Sequence, residues 1–203
     1  MIKCAKEMRA AAADALSGKW GNAVLATLVY IAIVIVASFC GPLSLIVSIG
    51  SVILGAGLQV ALLQMVRTGN AVKTVCIFDF FKESRLWVTM LLVFVYTFLW
   101  ALLFIIPGII KGLSYALTPY ILNDNPDLEN NAAIELSMAM MDGHKWDLFC
   151  LQLSFIGWAI LCSFTLGVGI LWLEPYLLTS YAEFYEDVKA EYNERKLTSA
   201  SAE

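Results

Sequence analysis

From Trp20 to Val66 no position carries a charge, a run of 47 residues between Lys19 and Arg67. A straight helix of that length would reach roughly 70 Å, more than twice the ~30 Å hydrocarbon thickness of a bilayer. The run must therefore fold back, and the breaker pair Gly41-Pro42 divides it into Trp20–Cys40 and Pro42–Val66, each long enough to span. A second charge-free run, Leu86–Ile110, has 25 residues and ends in Ile106-Pro107-Gly108. A third, Leu148–Leu173, has 26 and contains Gly167 and Gly169 near its end. Each of these two is followed by a further apolar, aromatic arm, Gly108–Leu122 and Ile170–Tyr185. The pattern predicts an all-α, polytopic membrane helical bundle with six transmembrane helices arranged as three hairpins. Because Ile106–Leu122 has only 17 residues, the lower limit for crossing, the alternative is four spans plus two interfacial half-helices.

Composition points the same way. Of 203 residues 60% are apolar and 15% charged, with a mean hydropathy of +0.76. Soluble domains run at about 45–50% apolar and about 25% charged. The net charge of −4 and pI near 5.0, without a basic block, exclude a nucleic-acid surface. The five cysteines Cys4, Cys40, Cys76, Cys150 and Cys162 show no C-x-x-C spacing, so neither a disulfide framework nor a thiolate metal site is indicated. The first apolar run follows a polar segment and far exceeds a signal-peptide core, and Phe39 spoils the lipoprotein-like stretch Val36-Ala37-Ser38-Phe39-Cys40. It is read as a retained span.

Of the 30 charged side chains, 28 fall in the segments 1–19, 67–85, 124–147 and 183–203. With the N-terminus inside and six crossings, all four lie in the cytoplasm and the outer turns carry no Lys or Arg, as the positive-inside rule requires. Segments 1–19 and 67–85 hold four basic residues each, whereas 124–147 has only Lys145 against six carboxylates. Both termini are thus expected in the cytoplasm, on a multi-pass protein of the cytoplasmic (inner) membrane. Residues 1–187 form one integral membrane domain, with amphipathic cytoplasmic segments at 1–19, 67–85 and 124–147, and 188–203 is a polar cytoplasmic tail. The pairs Lys19-Trp20, Arg85-x-Trp87 and Lys145-Trp146 introduce the three hairpins, so Trp20, Trp87 and Trp146 read as interface anchors. The competing view is a coincidence of common interface residues.

Two charges escape the four segments, Lys111 and Glu174. An unpaired intramembrane charge costs about 2.5–3.5 kcal/mol on insertion scales, which makes them a candidate intramembrane polar pair at similar depth. The alternative has Lys111 snorkelling outward and Glu174 protonated. Pro175 removes the helical bond to the Leu171 carbonyl, and Pro119 does the same to Tyr115. The pairs Pro119-Tyr120 and Pro175-Tyr176 are therefore candidate helix breaks, of the kind that transporters place beside charged groups and that many other membrane helices also contain.

Ser51-x-x-x-Gly55 and Gly57-x-x-x-Ala61 set small residues four apart on two faces of one helix. Packing within the bundle explains them as well as a homo-oligomer does. Gln152 reads as helix glue. Segment 126–142 reads as a helix along the inner surface, with Ile134, Met138 and Met141 on one side and Asn125 or Asp127 as its cap. Residues 1–17, with Met8, Ala12, Ala15 and Leu16, form a more basic amphipathic lead-in. No nucleophile with a base, carboxylate dyad or metal motif is present, and the one histidine, His144, stands at the membrane edge. No catalytic, cofactor-binding or metal residue is assigned, and no enzyme activity is expected.

The stretches ALSGKWGNAV, LFIIPGIIKGLSYALTPYILNDNP and HKWDLFCLQLSFIGWAILCSFTLGVGILWLEPYLLTSYAEFY resemble the uncharacterised bacterial integral membrane proteins grouped as domain of unknown function 975. The resemblance covers roughly residues 10–187. It implies a multi-helix protein of the bacterial cell envelope and supplies no mechanism. A more distant similarity is to the membrane domain of some glycerophosphodiester phosphodiesterases. Asp142 stands where similar sequences lead one to expect lysine, which weakens any basic lipid-binding role of that segment. The expected role is a non-enzymatic accessory or interaction module, with membrane lipid and no nucleic acid as partner and protein partners unknown. The alternative is a small transporter or lipid-handling protein that uses Lys111 and Glu174.

Overall fold

The computed structural model describes residues 3–38, 44–72, 84–103, 105–165 and 167–200. The described residues form nine helices and no strand: α1 (Ala5–Leu16), α2 (Trp20–Ser38), α3 (Ser44–Thr68), α4 (Ser84–Leu103), α5 (Ile105–Tyr115), α6 (Thr118–Asp124), α7 (Asn130–Met140), α8 (Lys145–Phe164) and α9 (Ile170–Ala200). The all-helical class is as expected.

In the first hairpin, Ala23 and Ala26 of α2 pack among Leu54, Leu58, Ala61 and Leu62 of α3. A Cβ at Gly55 would lie 3.5 Å from the Tyr30 hydroxyl, in ordinary van der Waals contact, so the two helices pack closely at this position. Gly55 and Ala61 therefore serve contacts inside the bundle. The Gly41-Pro42 turn lies outside the described residues.

In the second hairpin, Lys111 sits over the Trp100 ring and Gly112 faces Thr97, an antiparallel pairing. The reversal comes earlier than expected, because α4 ends at Leu103 and α5 starts at Ile105. Pro107 stands in the first turn of α5, where its missing N–H removes no helical bond. The returning arm does break at Pro119: α5 stops at Tyr115, and α6 begins at Thr118 with Pro119 in its first turn. Pro175 behaves differently. It lies inside α9, which runs unbroken for 31 residues, about 46 Å. Around it Thr179 donates to the Pro175 carbonyl and Ser180 to the Tyr176 carbonyl.

Helix α7 is shorter than the expected 126–142, and its cap is Glu129 rather than Asn125 or Asp127. The Asn125 amide is already used, donating to the Ile121 carbonyl at the end of α6. The two-sided pattern of this segment is present, with Ile134 and Met141 buried and Glu135 and Asp142 exposed. Ala133, Ile134, Ser137 and Met140 are buried, and the Ser137 hydroxyl donates to the Ser114 carbonyl at 2.7 Å.

The N-terminal helix departs furthest from a lead-in lying on the membrane surface. Lys3 pairs with Asp187, the Arg9 carbonyl accepts from Tyr176, and the Arg9 guanidinium reaches the Ser154 carbonyl and the Phe155 ring. Helix α1 is thus wedged against α8 and α9, antiparallel to α9, with Met8, Ala12 and Leu16 fully buried. The amphipathic stripe was legible, but it meets protein rather than lipid.

By length and composition, two described helices reach across a bilayer, Gly50–Thr68 within α3 and Lys145–Phe164. The pair α1 and α2, bent by 99°, supplies a third if it acts as one broken span.

Candidate functional site

Described charges from the four segments pair at one end of the bundle, whereas α1 carries Arg9 away from it, to Ser154 and Phe155 at the middle of α8. Among the described residues, every ion pair joins members of these segments. At the centre is Asp124, the last residue of α6, its side chain only 7% exposed. Arg67, at the end of α3, grips it with two guanidinium nitrogens, Nη2 to Oδ2 at 2.6 Å. The Tyr185 hydroxyl donates to Oδ2 at 2.7 Å, Lys189 donates to the same oxygen, and Asn123 reaches Oδ1 at 3.3 Å. Arg67 also donates through Nε to Glu186. Tyr185 is itself fixed, stacked on Tyr120 with ring centroids 5.1 Å apart and with both cations near its face.

Partial burial by itself would push the Asp124 carboxyl up. Arg67, Lys189 and Tyr185 reverse this and hold it well below the usual carboxylate range. Both oxygens are occupied, so the cluster is a clamp among α3, α6 and α9 rather than a reactive carboxylate.

A second cluster surrounds His144, which is buried rather than standing free at a membrane edge. Arg195 donates to Nε2 at 2.6 Å, which leaves Nδ1 as the protonated nitrogen, facing Asp147 at 3.5 Å. Glu191 bonds the same arginine. Lys3 closes a third link, to Asp187 at 3.0 Å and Glu183 at 3.6 Å. No group of His, Cys, Asp and Glu side chains among the described residues is placed to hold a metal ion.

Lys111 and Glu174 are not brought together. The Lys111 ammonium lies 5.3 Å over the Trp100 ring and 3.8 Å from the Met138 sulfur. Glu174 lies within electrostatic range of Tyr30 and Tyr181. Trp100 is available to Lys111 because the α4–α5 reversal places the two side by side, and a ring face satisfies an ammonium without a carboxylate. The double exchange Lys111→Glu with Glu174→Lys is accordingly expected to restore no more folded protein than either single change, as measured by accumulation in the membrane fraction. Of the other singled-out residues, Tyr120 is buried in the clamp and Tyr176 packs between Trp20 and Phe155. Trp87 and Trp146 are exposed, while Trp20 is half-buried against Tyr176.

The clamp residues Arg67, Asp124, Tyr185 and Lys189 were visible in the sequence only as topological charges. Arg67 and Asp124 are the first charges met on leaving their apolar arms, and Tyr185 and Lys189 are four apart on one helix face. That signal suggests an end layer without naming the partners.

Residues 88–192 match the family described as Protein of unknown function (DUF975). No curated protein and no solved structure matches the chain. The matched segment runs from α4 through most of α9 and includes Asp124, Tyr185 and Lys189, with Arg67 outside it. As it spans 105 of the 203 residues, the chain belongs to this family of proteins of unknown function.

Proposed function

We propose that this protein is a multi-pass component of the bacterial cytoplasmic membrane, a non-enzymatic accessory module held together at its aqueous end by the Asp124 clamp. One observation carries the membrane reading. Helix α8 is 20 residues long and apolar, yet only 17% of its span is buried, with Leu153, Ile156, Ile160, Leu161 and Phe164 all turned outward. Water would not sustain such a face, whereas hydrocarbon makes it the stable arrangement. Exposed apolar side chains on α2, α4, α5 and the start of α9 continue the same belt.

In this reading α2, α3, α4, the α5–α6 arm, α8 and the first half of α9 are the six crossings. The charged end and both termini face the cytoplasm. The closed clamp supports an accessory role, since its groups are committed to one another. A second reading, lipid handling, is favoured by an apolar cavity beside the start of α9.

The test is extraction and topology. The full-length protein is expected to stay in the pellet after alkaline carbonate treatment. Reporters fused to the N-terminus and after Ala200 should report the same, cytoplasmic side, and one inserted at Gly167 the opposite side. Release by carbonate sinks the membrane reading, and termini on opposite sides sink the six-span arrangement.

A further inference from the structure

At the corner where α1 turns into α2, a cavity of about 500 Å³ opens between these two helices, the last turns of α8 and the first turns of α9. Its origin is local. The Gly167–Gly169 turn draws α9 against α8 so closely that a Cβ at Gly169 would sit 2.6 Å from the Cys162 sulfur. Further along, the α1 wedge holds the same two helices apart, with Arg9 on Ser154 and Tyr176 on Arg9. The gap left between the pinch and the wedge is walled by Ala13, Trp20, Trp158, Cys162, Trp172 and Tyr176.

The wall offers no ion or polar ligand a place. The Tyr176 hydroxyl is spent on the Arg9 carbonyl, and the Thr165 hydroxyl donates to the Cys162 carbonyl while accepting from the Gly169 N–H. Apolar cavities of this kind do not hold ordered water. A docked helix is excluded by size: at about 10 Å diameter and 5.4 Å pitch a single turn takes about 420 Å³, so the cavity would hold barely one turn. An extended hydrocarbon chain fits the volume and the aromatic lining. Trp158 and Trp172 line the cavity and are themselves half exposed within the apolar belt, so an occupant enters from the surrounding hydrocarbon.

We infer that this cavity is a binding site for one acyl chain of a glycerophospholipid, taken from the leaflet on the side of the α8–α9 turn. The inference rests on the membrane reading above and adds a specific lipid site to it. The bent α1–α2 pair and the glycine turn are then the devices that shape the site.

The full-length protein, reconstituted in phosphatidylethanolamine and phosphatidylglycerol vesicles with a trace of phospholipid carrying a diazirine on its acyl chain, is illuminated and its peptides are mapped by mass spectrometry. Adducts should concentrate on Trp158, Cys162 and Trp172, above the level at Leu102 and Ile106, although those two are the more exposed. Ala13→Trp intrudes on the cavity and should reduce the Cys162 adduct while leaving Leu102 and Ile106 unchanged. Equal labelling at all these positions, insensitive to Ala13→Trp, overturns the site and leaves the membrane reading standing. Absence of labelling everywhere overturns the membrane reading itself. Should Ala13→Trp fail to accumulate, native mass spectrometry of the unmodified protein decides. One phospholipid retained per chain after delipidation supports the site, and retention of a free fatty acid or of nothing overturns it.

Discussion

Asp124→Asn is expected to cost about 3 kcal/mol, the low end of what is lost when one partner of a buried ion pair is removed. The carboxylate is buried while Arg67 and Lys189 are each about one-third exposed, so water recovers part of the loss. The substitution leaves Arg67 and Lys189 facing each other across a neutral amide that cannot accept from all of its former donors. On the scale of a chain this size, the drop is about 6–12 °C in the thermal midpoint of the purified protein. Arg67→Gln should lose a similar amount, and the double variant little more than either, because both changes remove the same contacts. Fully additive losses would show that the clamp does not act as a unit.

The clamp also has an acid limb of known sign. The folded Asp124 carboxyl titrates below its ordinary value of 3.8, so its contribution is complete above that pH and is lost as the pH falls toward the depressed folded value. The unmodified protein should therefore lose stability progressively below about pH 4. Asp124→Asn should lack that part of the pH dependence. An unchanged acid limb in the variant would count against the clamp.

The second large effect separates bilayer from water at a single position. Ile156 projects outward from the middle of α8. If water surrounded it, Ile156→Asp would change stability by no more than about 0.5 kcal/mol, as exposed substitutions generally do. In hydrocarbon the same carboxylate at a helix centre costs about 2.5–3.5 kcal/mol, roughly a hundredfold shift in the insertion equilibrium. An aspartate in place of Trp146, equally outward but beside Lys145 at the charged end, should be tolerated. Comparable accumulation of both variants in the membrane fraction would contradict the proposed placement of α8.

Much of the fold was legible because long apolar helices leave a coarse record. The long charge-free runs marked α2, α3, α4 and α8 closely. Breakers were read less well. Pro119 ends a helix as anticipated, while Pro175 sits inside one that continues through it. Pro107 was placed at a reversal and proved to open a helix, since proline fits the first turn as readily as it breaks a later one. The candidate site fared worst. Lys111 and Glu174 stood out as charges within apolar sequence, but a ring face served Lys111 where a carboxylate was anticipated.

By itself, the sequence determined that the chain is all-helical and where its long apolar helices run, because an apolar run of helical length is a local property of the chain. It also carried the family resemblance, since the motifs are contiguous in the chain. Only the tertiary structure decided which charges meet. Arg67 and Asp124 are 57 positions apart, and Asp124 and Lys189 are 65 apart. Their pairing depends on how α3, α6 and α9 end at one level, a consequence of packing that no local pattern records. The same holds for α1, whose stripe could have faced lipid or protein with equal local satisfaction, and for the cavity it props open between α8 and α9.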